Sequence, residues 1–254
     1  IVYDLRLNAS ITKSSIQDSP VVIIDIDEKS LQQEGQWPWS RKRIAELVTK
    51  LTNLGAVVIT FDMLFSEAGS NSAENVLNSL QSEEPDNIPI IQYLKSLLPT
   101  FDFDSYLANS FQERDIVLGF VFHNLETPHS GMLPSPLVIK NADDIDINAI
   151  PGIGNYTANL KQLQGNAISG GVITTTPDSD GSIRRTPLVL RYGGQIYPSL
   201  ALESARLFML ADDITINIGK IGDSQVIEFV TLGDYQIPTD HNGNVPIHYA
   251  GPGK

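Results

Sequence analysis

The chain has 254 residues, of which 41% are hydrophobic, and its 30 acidic and 17 basic side chains give a formal net charge of −13. Nucleic-acid phosphates and anionic lipid surfaces repel such a protein, so we expect no nucleic-acid partner. The absence of cysteine excludes disulfides, thiolate catalysis and cysteine-bound zinc.

The two ends of the sequence suggest a piece of a longer protein. The chain begins at Ile1 without an initiator methionine, and its last residues, Gly251 to Lys254, break off in a turn. Residues 1–19 favour either a short helix or a frayed terminus. We therefore expect an excised domain.

Residues 20–66 predict the core of the fold. The apolar, β-branched run at 21–24 predicts a strand that is covered on both faces. A loop follows, then helical spacing begins after Ser40, a typical N-cap, and stops at Gly55. A second β-branched run at 56–61 predicts the next strand. A right-handed crossover would join them into a βαβ unit with parallel strands.

The remaining chain predicts a mixed α/β fold. We expect a largely central β-sheet with helices on both faces, built on the N-terminal βαβ unit and followed by a β-rich C-terminal part. The Asn242-Gly243 pair predicts a type I′ hairpin. The further elements are an acidic insertion at 67–100 with one or two helices, a helix at 104–114, a strand at 116–122, a long connection at 123–165, strands at 166–174 and 184–192, a helix at 198–210 and β-structure at 214–250.

Three carboxylates follow the predicted strands of the βαβ unit. Asp25 and Asp27 leave one face of the first strand, and Asp62 follows the second. Hard cations such as Mg²⁺ or Ca²⁺ accept such oxygen ligands, whereas in the alternative the carboxylates cap helices. The spaced pair also resembles an aspartate-nucleophile phosphatase, but no later Gly-Asp-x-x-x-Asp segment completes that motif.

Aromatic and basic side chains supply further candidates. Trp37 and Trp39 offer either a ligand platform or rings that pack their own loop together. Arg184 and Arg185 follow a strong turn signal at 177–181. We expect them either to pair with Asp25, Asp27 or Asp62 or to clamp an anionic ligand. The turn fails as a calcium loop because Pro187 stands where the final glutamate is required.

Several motifs, taken in order, resemble the CHASE2 domain, an extracytoplasmic sensory module of bacterial transmembrane receptors. The match spans nearly the whole chain. The residues that carry it are Asp25-Ile26-Asp27, Ser30-Leu31, Gly35, Trp37-Pro38-Trp39, Arg41, Leu54-Gly55-Ala56, Phe61-Asp62-Met63-Leu64-Phe65-Ser66, Asp178-Ser179-Asp180-Gly181, Arg184-Arg185, Tyr197-Pro198-Ser199-Leu200-Ala201-Leu202 and Tyr249-Ala250-Gly251-Pro252.

The resemblance implies one sensor domain over 1–254 at the periplasmic face of the inner membrane. It implies membrane helices on either side of the chain and a cytoplasmic output domain such as a nucleotide cyclase, a kinase or a diguanylate cyclase. We expect a non-catalytic domain that binds an unknown ligand or responds to a physical stimulus, works as a homodimer and needs no cofactor. The residues assigned to ligand binding are Asp25, Asp27, Trp37, Trp39, Arg41, Asp62, Asp180, Arg184 and Arg185. The alternative is a metal-dependent phosphohydrolase that uses Asp25 and Asp27.

Overall fold

The computed structural model of the chain describes residues 19–69, 71–83 and 86–249. Nearly all of the helix or frayed terminus predicted at 1–19 therefore lies outside the described residues, as do Ala250 to Pro252 of the last motif. Within the described part, the mixed α/β class is confirmed, with helices packed around several sheets.

The central strand of the main sheet is β2 (Asp115–His123). It pairs in parallel with β1 (Val58–Phe61) and with β4 (Ser169–Val172), and its end pairs antiparallel with β3 (Asn155–Thr157). Residues 116–120 of β2 are all buried. An apolar run without alternation is what a strand between two covered faces requires, so this predicted strand is confirmed.

Helices cover both faces of the sheet beside β1. Alternate side chains of a strand point to opposite faces. Ile59 and Phe61 share an apolar cluster with residues of α2 (Arg41–Asn53), whereas the Thr60 hydroxyl lies 2.7 Å from that of Ser204 in the helix Leu200–Phe208. The two helices therefore lie on opposite sides of β1.

Local sequence signals explain where these helices begin and end. The Ser40 hydroxyl accepts the Arg43 N–H at the start of α2, and Gly55 follows its end with φ at 95°. The Ser199 hydroxyl accepts the Leu202 N–H at the start of the later helix. Serine caps satisfy amide groups that the first helical turn leaves unpaired.

The acidic insertion contains two helices, as predicted. These are α3 (Ser72–Glu83) and α4 (Ile88–Leu97), which contact each other. A 3₁₀ turn, Leu98–Phe101, leads into α5 (Phe103–Ser110), which buries Leu107 and Ala108 in the cluster beside α2. After the insertion, the chain therefore packs again against the apolar cluster beside α2.

The second half of the chain contains an apolar cluster that is separate from the one beside α2. The long connection after β2 holds β3, two 3₁₀ turns (Ala142–Asp144 and Ile147–Ala149) and α6 (Lys161–Gln164). The next elements are β5 (Arg185–Pro187), β6 (Val189–Tyr192), β7 (Gln195–Pro198), α7 (Leu200–Phe208), β8 (Ile214–Ile221), β9 (Ser224–Leu232), β10 (Tyr235–Pro238) and β11 (Asn244–Pro246). The β-rich C-terminal part is confirmed, with β8, β9 and β10 forming one antiparallel sheet.

The prediction of a strand at residues 21–24 is wrong. Residues 21–24 are exposed and belong to no strand, and they have no strand pairing in the described structure. A helix not predicted from the sequence, α1 (Glu28–Glu34), follows them and precedes α2. The described core therefore contains α2 and β1 without the first strand of the βαβ unit. The apolar pattern shows only that residues 21–24 favour burial, and in the described structure they remain exposed.

The predicted hairpin at Asn242-Gly243 is also wrong. The strand after this pair, β11, is hydrogen-bonded to β5 and not to the preceding β10. Gly243 has φ at 74°, but Asn242 is not among the non-glycine residues with positive φ. A type I′ turn requires positive φ at both central residues. The pair instead belongs to a loop whose amide groups are bonded by the Asp240 carboxylate.

Asn159 connects the loop after β1 to the central strand. Its side chain is fully buried, accepts the Phe65 N–H at 2.8 Å and donates to the Gly119 carbonyl at 3.0 Å. Gly119 itself leaves no room for a side chain, since an added Cβ would lie 2.8 Å from the Phe61 carbonyl oxygen.

We expect Asn159→Ala to lower the free energy of unfolding by about 2–3 kcal/mol, because it leaves the buried Phe65 N–H without a partner. Urea denaturation of the two proteins measures the difference. The matched control is Asn166→Ala, which removes one hydrogen bond at an exposed site and should change stability by less than about 0.5 kcal/mol. Equal effects of the two substitutions would contradict this role for Asn159.

Candidate functional site

The three predicted carboxylates have different surroundings. Asp25 and Asp62 are exposed. The Asp27 carboxylate caps α1 and accepts the Ser30 hydroxyl at 2.7 Å and the Ser30 N–H at 2.8 Å, and these hydrogen bonds lower the pKa of Asp27. Asp27 therefore caps a helix, which is the alternative to a role as a cation ligand. No group of three or more acidic or histidine side chains able to hold a metal ion occurs among the described residues.

The tryptophan loop packs on itself. The Trp37 and Trp39 rings meet edge to face with centroids 5.9 Å apart, and the Trp39 Nε1–H donates to the Gly35 carbonyl at 2.9 Å. The Arg43 guanidinium lies 5.9 Å from the Trp39 ring centroid, and Arg43 also pairs with Glu34. This arrangement follows the self-packing alternative, while ligand binding by the two rings stays a prediction.

Arg41 holds three segments together in a nearly buried ion pair. Its Nε donates to the Asp104 carboxylate at 2.9 Å, and a second nitrogen donates to the Glu67 carbonyl at 2.9 Å. The same carboxylate accepts the Gly69 N–H at 2.7 Å, and the guanidinium lies 4.6 Å from the Phe65 ring centroid. The start of α2, the loop after β1 and α5 are therefore joined at Arg41.

Arg184 and Arg185 do not pair with Asp25, Asp27 or Asp62, and that expectation is wrong. They pair with carboxylates nearby in the sequence or brought close by β11. We call the following set the Arg184 cluster: Asp178, Asp180, Arg184, Arg185 and Asp240. Arg184 bonds Asp178 at 3.1 Å and Asp180 at 2.8 Å, and Arg185 bonds Asp240 at 3.2 Å. A short turn brings Asp178 and Asp180 to Arg184, whereas the pairing of β11 with the strand at 185–187 brings Asp240 to Arg185.

The Arg184 cluster lies where the described chain ends. The Ile247 N–H donates to the Arg184 carbonyl, and the Tyr249 hydroxyl donates to the Ile183 carbonyl at 2.6 Å. Gly181 closes the predicted tight turn with φ at 82° and an N–H bonded to the Asp178 carbonyl. The cluster thus ties this turn to β11 and to the last residues described.

The two arginines differ in exposure. The Arg184 side chain is 15% exposed and the Arg185 side chain is 48% exposed. A guanidinium has five N–H donors, and the exposed side of Arg185 leaves part of its group in contact with water. Arg185 is consequently the more accessible cation of the pair.

Hydrogen bonds in the cluster lower two carboxylate pKa values. The bond from Arg184, followed by that from the Ser182 N–H, places the pKa of Asp180 far below its ordinary value. Burial raises the pKa of Asp240, but hydrogen bonds from Asn244, Asn242 and Arg185 outweigh burial, so the net shift is downward. Both carboxylates thus favour the charged form in the folded protein.

The sequence analysis did not predict an aromatic group that lies at the carboxyl end of β2. Phe122 stacks on Tyr192 at 5.7 Å, Tyr156 meets Tyr192 edge to face at 5.1 Å, and His129 lies 5.1 Å from Tyr156. Burial, followed by the neighbouring Tyr192, raises the pKa of Tyr156. These residues come from distant segments and share no spacing, so no local motif could reveal them.

Two shallow cavities are lined by none of the predicted ligand residues. One, of about 180 Å³, is lined at the amino ends of β1 and β2 by residues that include Val57 and Asp115. The other, of about 310 Å³, lies beside α5 and includes Lys42 and Asp102. Typical small-molecule sites occupy roughly 300–1,000 Å³, so the first is too small and the second is at the lower limit.

The CHASE2 domain family model matches residues 1–254, the whole chain. The chain therefore belongs to the CHASE2 family of sensory extracellular domains found in signalling receptors, and the resemblance drawn from its motifs is confirmed. No curated protein and no solved structure matches the chain. None of the described helices is long and apolar enough to cross a membrane.

We expect acid to destabilise the wild-type chain more than it destabilises the Arg184→Gln variant. A carboxylate whose folded pKa is lowered contributes stability at high pH, and this contribution is lost as pH falls below about 4. Removing Arg184 removes the largest cause of the Asp180 shift. Thermal unfolding midpoints across the acid range should therefore decline less steeply in the variant.

The control is Lys140→Gln, which breaks an exposed ion pair with Asp213 and should retain the acid dependence of the wild-type chain. Parallel acid curves for the wild-type chain and Arg184→Gln would show that the Arg184 cluster does not govern the acid response.

Proposed function

We propose that this chain is the extracytoplasmic sensor of a transmembrane receptor on the periplasmic face of the bacterial inner membrane. It binds a small molecule or responds to a physical stimulus, and it passes a conformational change to a cytoplasmic nucleotide cyclase, kinase or diguanylate cyclase. The observation that carries this proposal is the family match across residues 1–254. We further propose that the receptor works as a homodimer.

In this proposal, the Arg184 cluster is the coupling element. Its ion pairs connect the turn at 178–181 with the two arginines and with Asp240, which precedes β11. The Tyr249 hydroxyl donates to the carbonyl of the neighbouring Ile183. The Asp180 and Arg185 side chains, which are 55% and 48% exposed, exchange partners at small net cost, because water competes for the same charges. Two arrangements of these pairs would hold the C-terminal segment in two positions, and a ligand that prefers one arrangement shifts the balance.

Among the residues assigned to ligand binding, Arg185 fits direct contact best. Its guanidinium is half-exposed, bonded through one nitrogen to Asp240 at 3.2 Å and paired through another with Asp178 at 3.7 Å. An anionic group would compete with Asp240 for this guanidinium and so alter the cluster. Arg41 fits such a role less well, because its side chain is 14% exposed and already engaged by Asp104.

Location is tested with Leu125→Cys in the full-length receptor. Leu125 is 65% exposed, and this domain has no cysteine of its own. A membrane-impermeant maleimide should label the variant in intact spheroplasts, because the domain faces outward. The receptor without the substitution is the control for other thiols. Labelling that requires cell lysis would contradict an extracytoplasmic position.

Coupling is tested with Arg184→Gln in a receptor whose output domain is replaced by an adenylate cyclase catalytic domain. Removing the cation leaves Asp178 and Asp180 without their shared partner, so the two arrangements change in relative free energy. We expect a change of about fivefold or more in basal cyclic AMP production in isolated membranes.

The matched control is Lys140→Gln, at an exposed pair away from the Arg184 cluster, which should leave production unchanged. Immunoblotting corrects for receptor amount. The same output from Arg184→Gln and the unsubstituted receptor would contradict a coupling role for the cluster.

A further inference from the structure

The first part of the N-terminal arm, which is defined as residues 19–40, is exposed and lacks a stabilising surface. The side chains of Val21, Val22, Ile23 and Ile24 are 71%, 77%, 86% and 53% exposed. The helix that follows, α1, has seven residues and buries none of them. Such a short helix is not stable by itself in water, and four adjacent exposed apolar side chains forgo the free energy of burial. The arm therefore requires a partner surface.

An acceptor surface for a strand exists at the outer edge of β1. One side of β1 is paired with β2, and no other described strand pairs with its second side. No backbone hydrogen bond from another described segment reaches Val58–Phe61 on that side. An open edge presents unpaired N–H and C=O groups that accept a further strand. Leu54 and Val57, which precede β1, are also exposed.

The arm and the edge are complementary in chemistry and length. Helices α2 and α7 lie on opposite faces of the sheet beside β1, so an added strand would have neighbours on both faces. Such a strand needs apolar side chains at every position, without alternation. Residues 21–24 meet this requirement, contain no charge or proline, and match the four residues of β1.

We propose that residues 21–24 of one copy pair as a strand with the β1 edge of a second copy, and that the second copy returns the same contact. In the described part of the chain, residues 21–24 are unpaired and the outer edge of β1 is open, so the arm of a chain does not fill its own β1 edge. A two-fold exchange therefore fills the β1 edge of both copies with one pair of equivalent contacts. The inference rests on the proposed homodimer and identifies its contact surface.

Sedimentation of the purified chain tests the exchange. The wild-type chain should sediment at twice its mass of 27.8 kDa, and Ile23→Asp should sediment as a monomer because the new charge would enter the apolar interface. The matched control, Leu125→Asp, places the same charge at another exposed apolar site and should remain dimeric. Circular dichroism verifies that each variant is folded.

A monomeric wild-type chain at every concentration would overturn the inference, and so would an Ile23→Asp variant that keeps the dimer. Neither result bears on location, which the labelling of Leu125→Cys measures separately. A chain that fails to dimerise but is labelled from outside would therefore refute the contact surface and leave the extracytoplasmic position standing.

Cross-linking identifies the partner edge. The absence of native cysteine allows Ile23→Cys and Thr60→Cys to be made as two single variants, because both side chains are exposed. The variants are unfolded and refolded together and treated with a short bis-maleimide. A covalent dimer containing one chain of each variant is expected. Leu125→Cys, used in place of Ile23→Cys, should give none.

The variant that carries both cysteines distinguishes a second copy from the same chain. Exchange predicts covalent dimers, since each arm lies beside the edge of the other copy. A cross-link confined to the monomer would place the arm on its own β1 and overturn the inference. Absence of any cross-link between positions 23 and 60 would also overturn it.

Discussion

The hydrogen bonds of β2 to two parallel neighbours are the constraint on which the remaining structure depends. Parallel pairing on both sides places β2 inside the sheet, where each face must be covered by helices or loops. Gly119 permits the close approach of the loop after β1, and Asn159 bonds that loop to β2. The positions of α2, α5 and α7 follow from the apolar faces that this sheet presents.

Most residues proposed for ligand binding have structural partners. Their ion pairs fall into two groups that differ in burial. The Arg41–Asp104 pair is nearly buried and joins three segments, so rearranging it would expose unpaired charge to an apolar environment. In the Arg184 cluster, Arg184 is 15% exposed, but Asp180 and Arg185 are 55% and 48% exposed. Water can replace the partners of these two exposed side chains, which lie near the last described residues.

Local signals account for much of the fold that was predicted correctly. The strand at β2 was predicted from its uninterrupted apolar run, α2 from helical spacing after the Ser40 cap, and α7 from helical spacing alone. The same reasoning failed at residues 21–24, where an identical kind of run is exposed. It also failed at Asn242-Gly243, because β11 pairs with a strand more than fifty residues earlier in the chain.

The sequence by itself determined the family, the mixed α/β class and the elements whose apolar spacing and caps are local. Only the tertiary structure decided which charges pair, because Arg41 meets Asp104 and Arg185 meets Asp240 across long separations in the chain. It also assembled the aromatic group of Phe122, Tyr156 and Tyr192 from separate strands. A residue's type sets the bonds that it can form, whereas the packing of distant segments sets the neighbours with which it forms them.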